Sequence, residues 1–289
     1  MFGAAHGGDV GYCRAMDPAT HPTCDHGFAP AFVERVLVDA LLATRSDAAP
    51  CYGIAGLQGS GKTTLAHQVA ALAAQRGRSV TVLSIDDFYL DQPERESLAR
   101  EVHPLLATRG PPGTHDLALA CATIDALCAG ESVPLPRFDK LTDRRIPQSG
   151  WPNSGRTDLV ILEGWFNQVP PQTDTELATP VNALERDEDA QGSWRRYCNT
   201  ALGRDYPALW RRIDRSLFLQ GPGFEVVPAW RWQQEQTLQA ANPGRHAMTQ
   251  AQVLRFVQFF ERVSRQALAT LPGIADVVVR LDGMRRVQS

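Results

Sequence analysis

The chain has 289 residues, 43% of them hydrophobic and 21% charged, with a formal net charge of −3 at neutral pH. This is the composition of a folded globular protein, not of a fibrous or natively disordered one. The slight negative balance excludes a global basic field for nucleic acid or an anionic membrane, and no apolar run reaches the roughly 18–20 residues of a membrane span, so any anion site must be local.

Residues 1–28 are rich in Gly, His, Asp and Pro without periodicity and read as an irregular tail, which leaves 29–289 for a single domain. The opening "MFGAAHGGDVGYCRAMD" lacks the basic-then-apolar order of a secretory signal, so a cytoplasmic protein is expected. The six cysteines, Cys13, Cys24, Cys51, Cys121, Cys128 and Cys198, form no Cys-x-x-Cys pair, and Cys13, His21, Cys24 and His26 fit no zinc spacing. "PAFVERVLVDALLATRS" then places Phe32, Val33, Val36, Leu37, Leu41 and Leu42 at helical spacing behind Pro30.

From Cys51 onward short apolar runs alternate with helical stretches. The runs are "YGIAG", "SVTVLSID", "DLVILEG", "RSLFLQG" and "DVVVRLDG", the pattern of a mainly parallel five-stranded sheet with helices on both faces. A helix is expected between Thr114 and Cys128, with Leu117, Cys121, Ile124 and Leu127 on one stripe. Pro134 to Pro152 is basic and proline-bearing and reads as a substrate loop leaving the sheet edge. "QVPPQTDTELATP" and "LERDEDAQGSW" read mostly as solvated acidic surface, and "VLRFVQFFERVSRQAL" as a packing helix through Val253, Phe256, Val257 and Phe260.

"GLQGSGKTTL" satisfies G-x-x-x-x-G-K-[ST], and it stands where such a loop must, after an apolar strand and at a helix start. Glycines let backbone N–H groups converge on phosphate, and the helix N-terminus adds partial positive charge. Gly56, Gln58, Gly59, Ser60, Gly61, Lys62, Thr63 and Thr64 are therefore the expected ATP site, with Lys62 supplying full charge and Thr63 a hydroxyl for Mg²⁺.

Two further strands end in carboxylates, "VTVLSIDDFYL" in Asp86 and Asp87 and "LVILEGW" in Glu163. Phosphoryl transfer to a hydroxyl needs a group to orient the acceptor and an oxygen partner for the metal, for which Asp86 and Glu163 are the respective candidates. Asp87 reads equally well as an N-cap or a surface carboxylate at the end of a strand. No Asn-Lys-x-Asp run is present to read guanine, which turns the reading from GTPase switches toward kinases.

Together "GLQGSGKTT", "LSIDDFYL", "TRGPPGTHD", "LPRFDK" and "VILEGW" resemble the D-glycerate 3-kinases of plants and fungi. These lie within the P-loop kinase group that includes phosphoribulokinase, uridine kinase and pantothenate kinase. The resemblance spans roughly Cys51 to Leu281. It implies a three-layer α/β/α sandwich with strand order 2-3-1-4-5, ATP with Mg²⁺, and transfer to a primary hydroxyl of a small acid. It also implies Asp86 on the acceptor side and Glu163 near the metal.

An acid acceptor calls for fixed cations, and Arg109, His115, Arg137 and Lys140 lie in the two discriminating motifs, with Arg144 and Arg145 read as surface charges. A neutral acceptor would instead stack on Phe88, Tyr89, Phe138 or Trp165, which otherwise serve as core; of these Tyr89 joins Asp86 in the expected acceptor site. Substrate loops are expected over about 90–155. A lid is expected over about 225–250, where "PAWRWQQEQ" carries Arg231 toward the γ-phosphate with Glu235 as its helical ion-pair partner. The function expected is thus an ATP-dependent kinase of a small hydroxy acid, D-glycerate first. The alternatives are a kinase of uridine, pantothenate or a similar metabolite, and an ATP-binding module that transfers nothing. A small-molecule partner is expected, with no nucleic acid and no membrane, and the oligomeric state stays open.

Overall fold

A computed structural model describes residues 27–43, 48–241, 244 and 247–288. The tail expected over 1–28, with its cysteines and histidines, lies outside the described residues except for Gly27 and Phe28. Phe28 docks on the helix of the phosphate loop, exchanging backbone hydrogen bonds with the Gln68 amide.

The five apolar runs form strands β1 (Cys51–Gly56), β2 (Val80–Ser84), β3 (Leu159–Gly164), β4 (Arg215–Gln220) and β5 (Val277–Arg280). All pair in parallel, in the spatial order β2-β3-β1-β4-β5, which is the expected 2-3-1-4-5 for the strands of this sheet. A separate antiparallel ribbon, Phe138–Asp139 with Arg144–Arg145, adds two strands to a count along the whole chain. No alternating run announces it, because each arm is two residues long.

The helices are α1 (Pro30–Leu41), α2 (Lys62–Gln75), α3 (Gln92–Glu101), α4 (Leu117–Cys128), α5 (Asp174–Ala178), α6 (Ala183–Glu188), α7 (Ser193–Arg204), α8 (Pro207–Trp210), α9 (Val227–Ala241) and α10 (Gln250–Thr270). Strand alternation splits them into two layers. Tyr52, Ile54, Leu159, Ile161, Leu217 and Leu219 face α1 and α2, whereas Cys51, Ala55, Val160, Leu162 and Phe218 face α4, α7, α8 and α10. Every residue of β1 and β3 is buried, as central strands covered on both faces require.

Small shifts from the expected stripes have simple causes. Leu42 falls beyond the end of α1 and is exposed. In α4 the buried face centres on Ala120, Thr123, Ile124 and Leu127, leaving Leu117 and Cys121 at its margin. In α10 Val253, Val257 and Phe260 are buried and Phe256 is partly so.

The acidic segments after β3 depart from the solvated surface expected of them. Glu185 and Asp189 are buried, because each meets a buried arginine, Glu185 one from the distant α10 and Asp189 one six residues along the chain in α7. Arg262 of α10 grips both oxygens of Glu185 at 2.7 and 2.6 Å and also donates to the carbonyls of Glu176 and Thr179. Arg195 of α7 donates to one carboxylate oxygen of Asp189, at 2.9 Å, and to the carbonyls of Asp189 and Leu177. A carboxylate left unpaired in such a place is strongly destabilising. Arg262→Ala should therefore lower the unfolding free energy by about 3–5 kcal/mol, read from denaturant titration.

Candidate active site

Parallel register decides where the reactive groups meet. Glu163, at the end of β3, lies beside Ile54 of β1 and Ser84 of β2. The phosphate loop begins directly after β1, and Asp86 and Asp87 follow Ser84 by two and three residues, so all of them emerge on one rim of the sheet.

The loop curls through two left-handed glycines, Gly59 at φ 79° and Gly61 at φ 93°. A Cβ on Gly59 would stand 2.7 Å from Trp230 Cβ, so the position excludes a side chain on steric as well as conformational grounds. Gly61 is the N-cap of α2 and no side chain caps that helix, which leaves its first N–H groups directed into the loop. Ser60 Oγ and Gln58 Oε1 are buried with no hydrogen-bond partner among the described residues. An orphaned hydroxyl, uncapped amides and a lysine on one concave loop fit a nucleotide phosphate chain.

Lys62 is buried and donates to the Leu57 carbonyl at 3.2 Å. Burial pulls its pKa down, opposed by the negative charges of Glu163 and Asp86, both close enough to act on it. Thr63 Oγ1 donates to Glu163 Oε1 at 3.0 Å. No group of three or more acidic, His or Cys residues that could hold a metal occurs among the described residues. The Thr63 hydroxyl and the Glu163 carboxylate nevertheless fit Mg²⁺, which commonly takes one or two protein oxygens and completes its shell with water and phosphate.

Asp86 and Asp87 sit in a single 3-10 turn, Ile85–Phe88, capped by Ser84. Asp87 is not the N-cap, which is Ser84, but the third residue of the turn; it closes the capping box by accepting from Ser84 N–H, and it pairs with Arg137 at 3.3 Å. Asp86 pairs with Lys140 at 2.5 Å. Burial pushes Asp86 up, but the Lys140 ammonium, the Tyr89 hydroxyl and His115 outweigh it and hold the carboxyl at about 2.

The two motifs expected on the acceptor side are drawn onto this turn. An antiparallel bridge joins Tyr89 to His115, with Leu90 N–H donating to Thr114 O and Asp116 N–H to Phe88 O. His115 and Tyr89 are buried and their rings lie 5.0 Å apart. Arg137 and Lys140 reach the acidic turn, whereas Arg109 turns away from it to Asp143 and the carbonyl of Lys140. Arg144 is an exposed partner of Asp91, as a surface charge should be. Arg145 is not one: it is largely buried and ties the Tyr89 carbonyl and Asp116 together. Phe88, Phe138 and Trp165 are buried among other core side chains.

On the opposite flank, Arg231 of α9 pairs with Glu235 at 3.0 Å, as helical spacing anticipated, and lies 5.7 Å over the Phe256 ring. Trp230 is buried against Gly59, and its indole donates to Gly283 O. Three residues that carried no recognisable motif complete the site. Arg95, 1% exposed, donates to Leu90 O, Ala107 O and Asp143, pinning the ribbon to the acidic turn. Arg285 donates to Gly59 O and to Gln233 of α9 while covering the Trp230 ring at 5.1 Å. Tyr206 bonds His115. Only their distant partners reveal them.

A phosphate loop after the central strand, with acidic residues at the ends of β3 beside it and β2 beyond, defines a P-loop kinase. No family model matches the chain. It is 33% identical over 218 residues to the uncharacterized kinase mug58 of Schizosaccharomyces pombe, covering 72% of this chain and 77% of that one. It is 28% identical over 238 residues to the chloroplastic D-glycerate 3-kinase of Arabidopsis thaliana, covering 76% of this chain but only 48% of that protein. Among solved structures, D-glycerate 3-kinase from Cryptococcus neoformans superposes with a TM-score of 0.70 at 25% identity, over 90% of this chain and 96% of that one. The chain belongs to the kinase family of the fission-yeast protein, within the P-loop kinases, and is a phosphotransferase with an alcohol acceptor. No helix among the described residues is long and apolar enough to cross a membrane.

Asp87 offers a test of the electrostatics. Burial raises its carboxyl from 3.8 to about 6, against the pull of Arg137 and the Ser84 amide. The folded state then holds a proton that the unfolded chain releases, so this contribution to stability is complete below about pH 4 and is lost as pH rises through about 6. Wild-type stability should fall by about 1–3 kcal/mol across that window from this group. Asp87→Asn should flatten that part of the profile, measured by urea unfolding at successive pH values.

Proposed function

We propose that the chain transfers the γ-phosphoryl group of ATP, with Mg²⁺, to the 3-hydroxyl of D-glycerate, giving 3-phosphoglycerate. The observation that carries this reading is the Lys140–Asp86 pair beside Lys62. Asp86 is a carboxylate suited to receive a reacting hydroxyl, and Lys140 is a cation suited to receive an acid's carboxylate. The activity named for the Arabidopsis and Cryptococcus relatives supports the same acceptor.

In this reading the amides of Gln58 to Thr64 cradle the phosphate chain, and Lys62 follows the transferred group as charge builds on its oxygens. Thr63 and Glu163 would hold the metal, and Thr64 would reach toward the inner phosphate. Mg²⁺ bound there would neutralise charge shared between the outer phosphates. Asp86 is held at about 2 while Lys140 is paired to it; once Lys140 passes to the acceptor's carboxylate that pull is lost and burial raises the carboxyl, so Asp86 aims the hydroxyl and accepts its proton late, as the bond to phosphorus forms. Acceptor binding exchanges one ion pair for two contacts, with Lys140 passing from Asp86 to the incoming carboxylate. Arg137, paired with Asp87, and Arg109, paired with Asp143, keep the ribbon in reach, while Tyr89 and His115 wall the acceptor pocket. Arg231 is the lid's contribution, leaving Glu235 for the γ-phosphate when α9 moves.

An acceptor panel of D-glycerate, uridine and pantothenate, read by ADP release, tests the reading. D-Glycerate should give the largest kcat/KM, and a preference for uridine or pantothenate would overturn the acid acceptor. With the preferred acceptor, Lys62→Ala should cost about 3 kcal/mol of transition-state stabilisation, roughly a hundredfold in turnover. Asp86→Asn should lose turnover while ATP binding, followed by calorimetry, stays within about twofold of wild type. ATP binding without turnover on any acceptor would favour a non-transferring module.

A further inference from the structure

His115 is 6% exposed and has two ring nitrogens in unlike surroundings. Its Nδ1 lies 2.6 Å from the Tyr206 hydroxyl, whereas its Nε2 is buried with no partner among the described residues. Tyr206 is fully buried, wedged between Phe166 and Trp210, and its hydroxyl oxygen accepts from Gly113 N–H at 3.0 Å. With that lone pair engaged, the phenol proton has one neighbouring acceptor, His115 Nδ1. A buried hydroxyl proton left without an acceptor is costly, so Tyr206 O–H donates to Nδ1 and the ring proton of a neutral imidazole must sit on Nε2. Burial depresses the His115 pKa to about 4, against the Asp86 charge, so the ring is neutral at physiological pH.

We propose that Tyr206 is a positioning residue: through the relay from Gly113 N–H to Tyr206 and on to Nδ1, it fixes His115 as the Nε2–H tautomer and presents an uncharged donor to the acceptor pocket. Its ligand is a neutral oxygen on the carbon next to the reacting one, as in a vicinal diol or a 2,3-dihydroxy acid. This division of labour is chemical: Lys140 suits a carboxylate, the neutral N–H suits a hydroxyl oxygen, and a donor that finds no oxygen stays unpaired. A buried polar group of this kind discriminates sharply against analogues lacking its partner. The inference rests on the kinase reading for the identity of the ligand, but the tautomer does not.

The test uses the full chain with ¹⁵N-labelled histidine. Two-bond ¹H–¹⁵N spectra between pH 5.5 and 8, with the His115 signals assigned by their loss in His115→Gln, should show His115 neutral and protonated at Nε2. In Tyr206→Phe that signal should move toward the Nδ1–H form or a mixture. With D-glycerate as acceptor, Tyr206→Phe should raise the acceptor KM about tenfold while the ATP KM is unchanged, and should shrink the preference for D-glycerate over 3-hydroxypropanoate, which lacks the vicinal oxygen. Glutamine places its amide nitrogen where Nε2 stands and has no tautomer to fix, so Tyr206→Phe should add little to the loss seen in His115→Gln. A wild-type Nδ1–H spectrum, or an unchanged KM and preference in Tyr206→Phe, would overturn the proposal. If no acceptor is turned over, the kinase reading fails, and the spectra alone decide whether Tyr206 fixes the tautomer.

Discussion

The parallel register of three adjacent strands is the constraint on which the site depends. Ile54, Glu163 and Ser84 lie side by side across β1, β3 and β2. Because parallel strands all finish at the same rim, each contributes its next few residues to one small volume. The phosphate loop, a carboxylate within reach of its threonine and a short acidic turn arrive there without any long-range loop having to find them. A slip of one residue in β3 would turn Glu163 to the opposite face of the sheet and part it from Thr63.

A second level of order is electrostatic. Nearly every cation on the stretch between α4 and β3 is matched to a carboxylate outside its own turn: Lys140 to Asp86, Arg137 to Asp87, Arg144 to Asp91 and Arg145 to Asp116. Arg95 and Arg109 converge on Asp143, which takes a left-handed backbone at φ 57° to receive both. The ribbon is thus shaped by charge more than by apolar burial. Lys140 and Arg144 are the half-exposed members of the set, and Lys140 is the one whose partner faces the phosphate loop. That makes it the pair most easily exchanged for a ligand, because an exposed ion pair contributes little net stability.

Features written in short stretches of chain were legible in the sequence. The strands announce themselves by local apolar runs, the phosphate loop by its glycines and lysine, and the Arg231–Glu235 pair by a four-residue spacing. Features that depend on two distant segments were not. Glu185 looks like one more acid in a polar stretch, and its partner Arg262 is 77 residues away. Tyr206 stands before a proline with no pattern around it, 91 residues from His115. Arg95 lies in a helix whose other side chains are mostly polar, so nothing local distinguishes it from its solvated neighbours. Arg109 shows the converse: its charge and its place in a discriminating motif point to the acceptor, whereas its guanidinium is taken up by Asp143 and a carbonyl of the ribbon.

Arg285 has a mechanical consequence. One guanidinium touches the backbone of the phosphate loop at Gly59, the side chain of Gln233 on α9 and the face of Trp230. It works as a rivet through three plates. If α9 tilts, it must either drag the loop's carbonyl with it or shear the rivet, so the pitch of that helix and the curvature of the loop cannot vary independently. Nucleotide grip and helix angle would then rise and fall together.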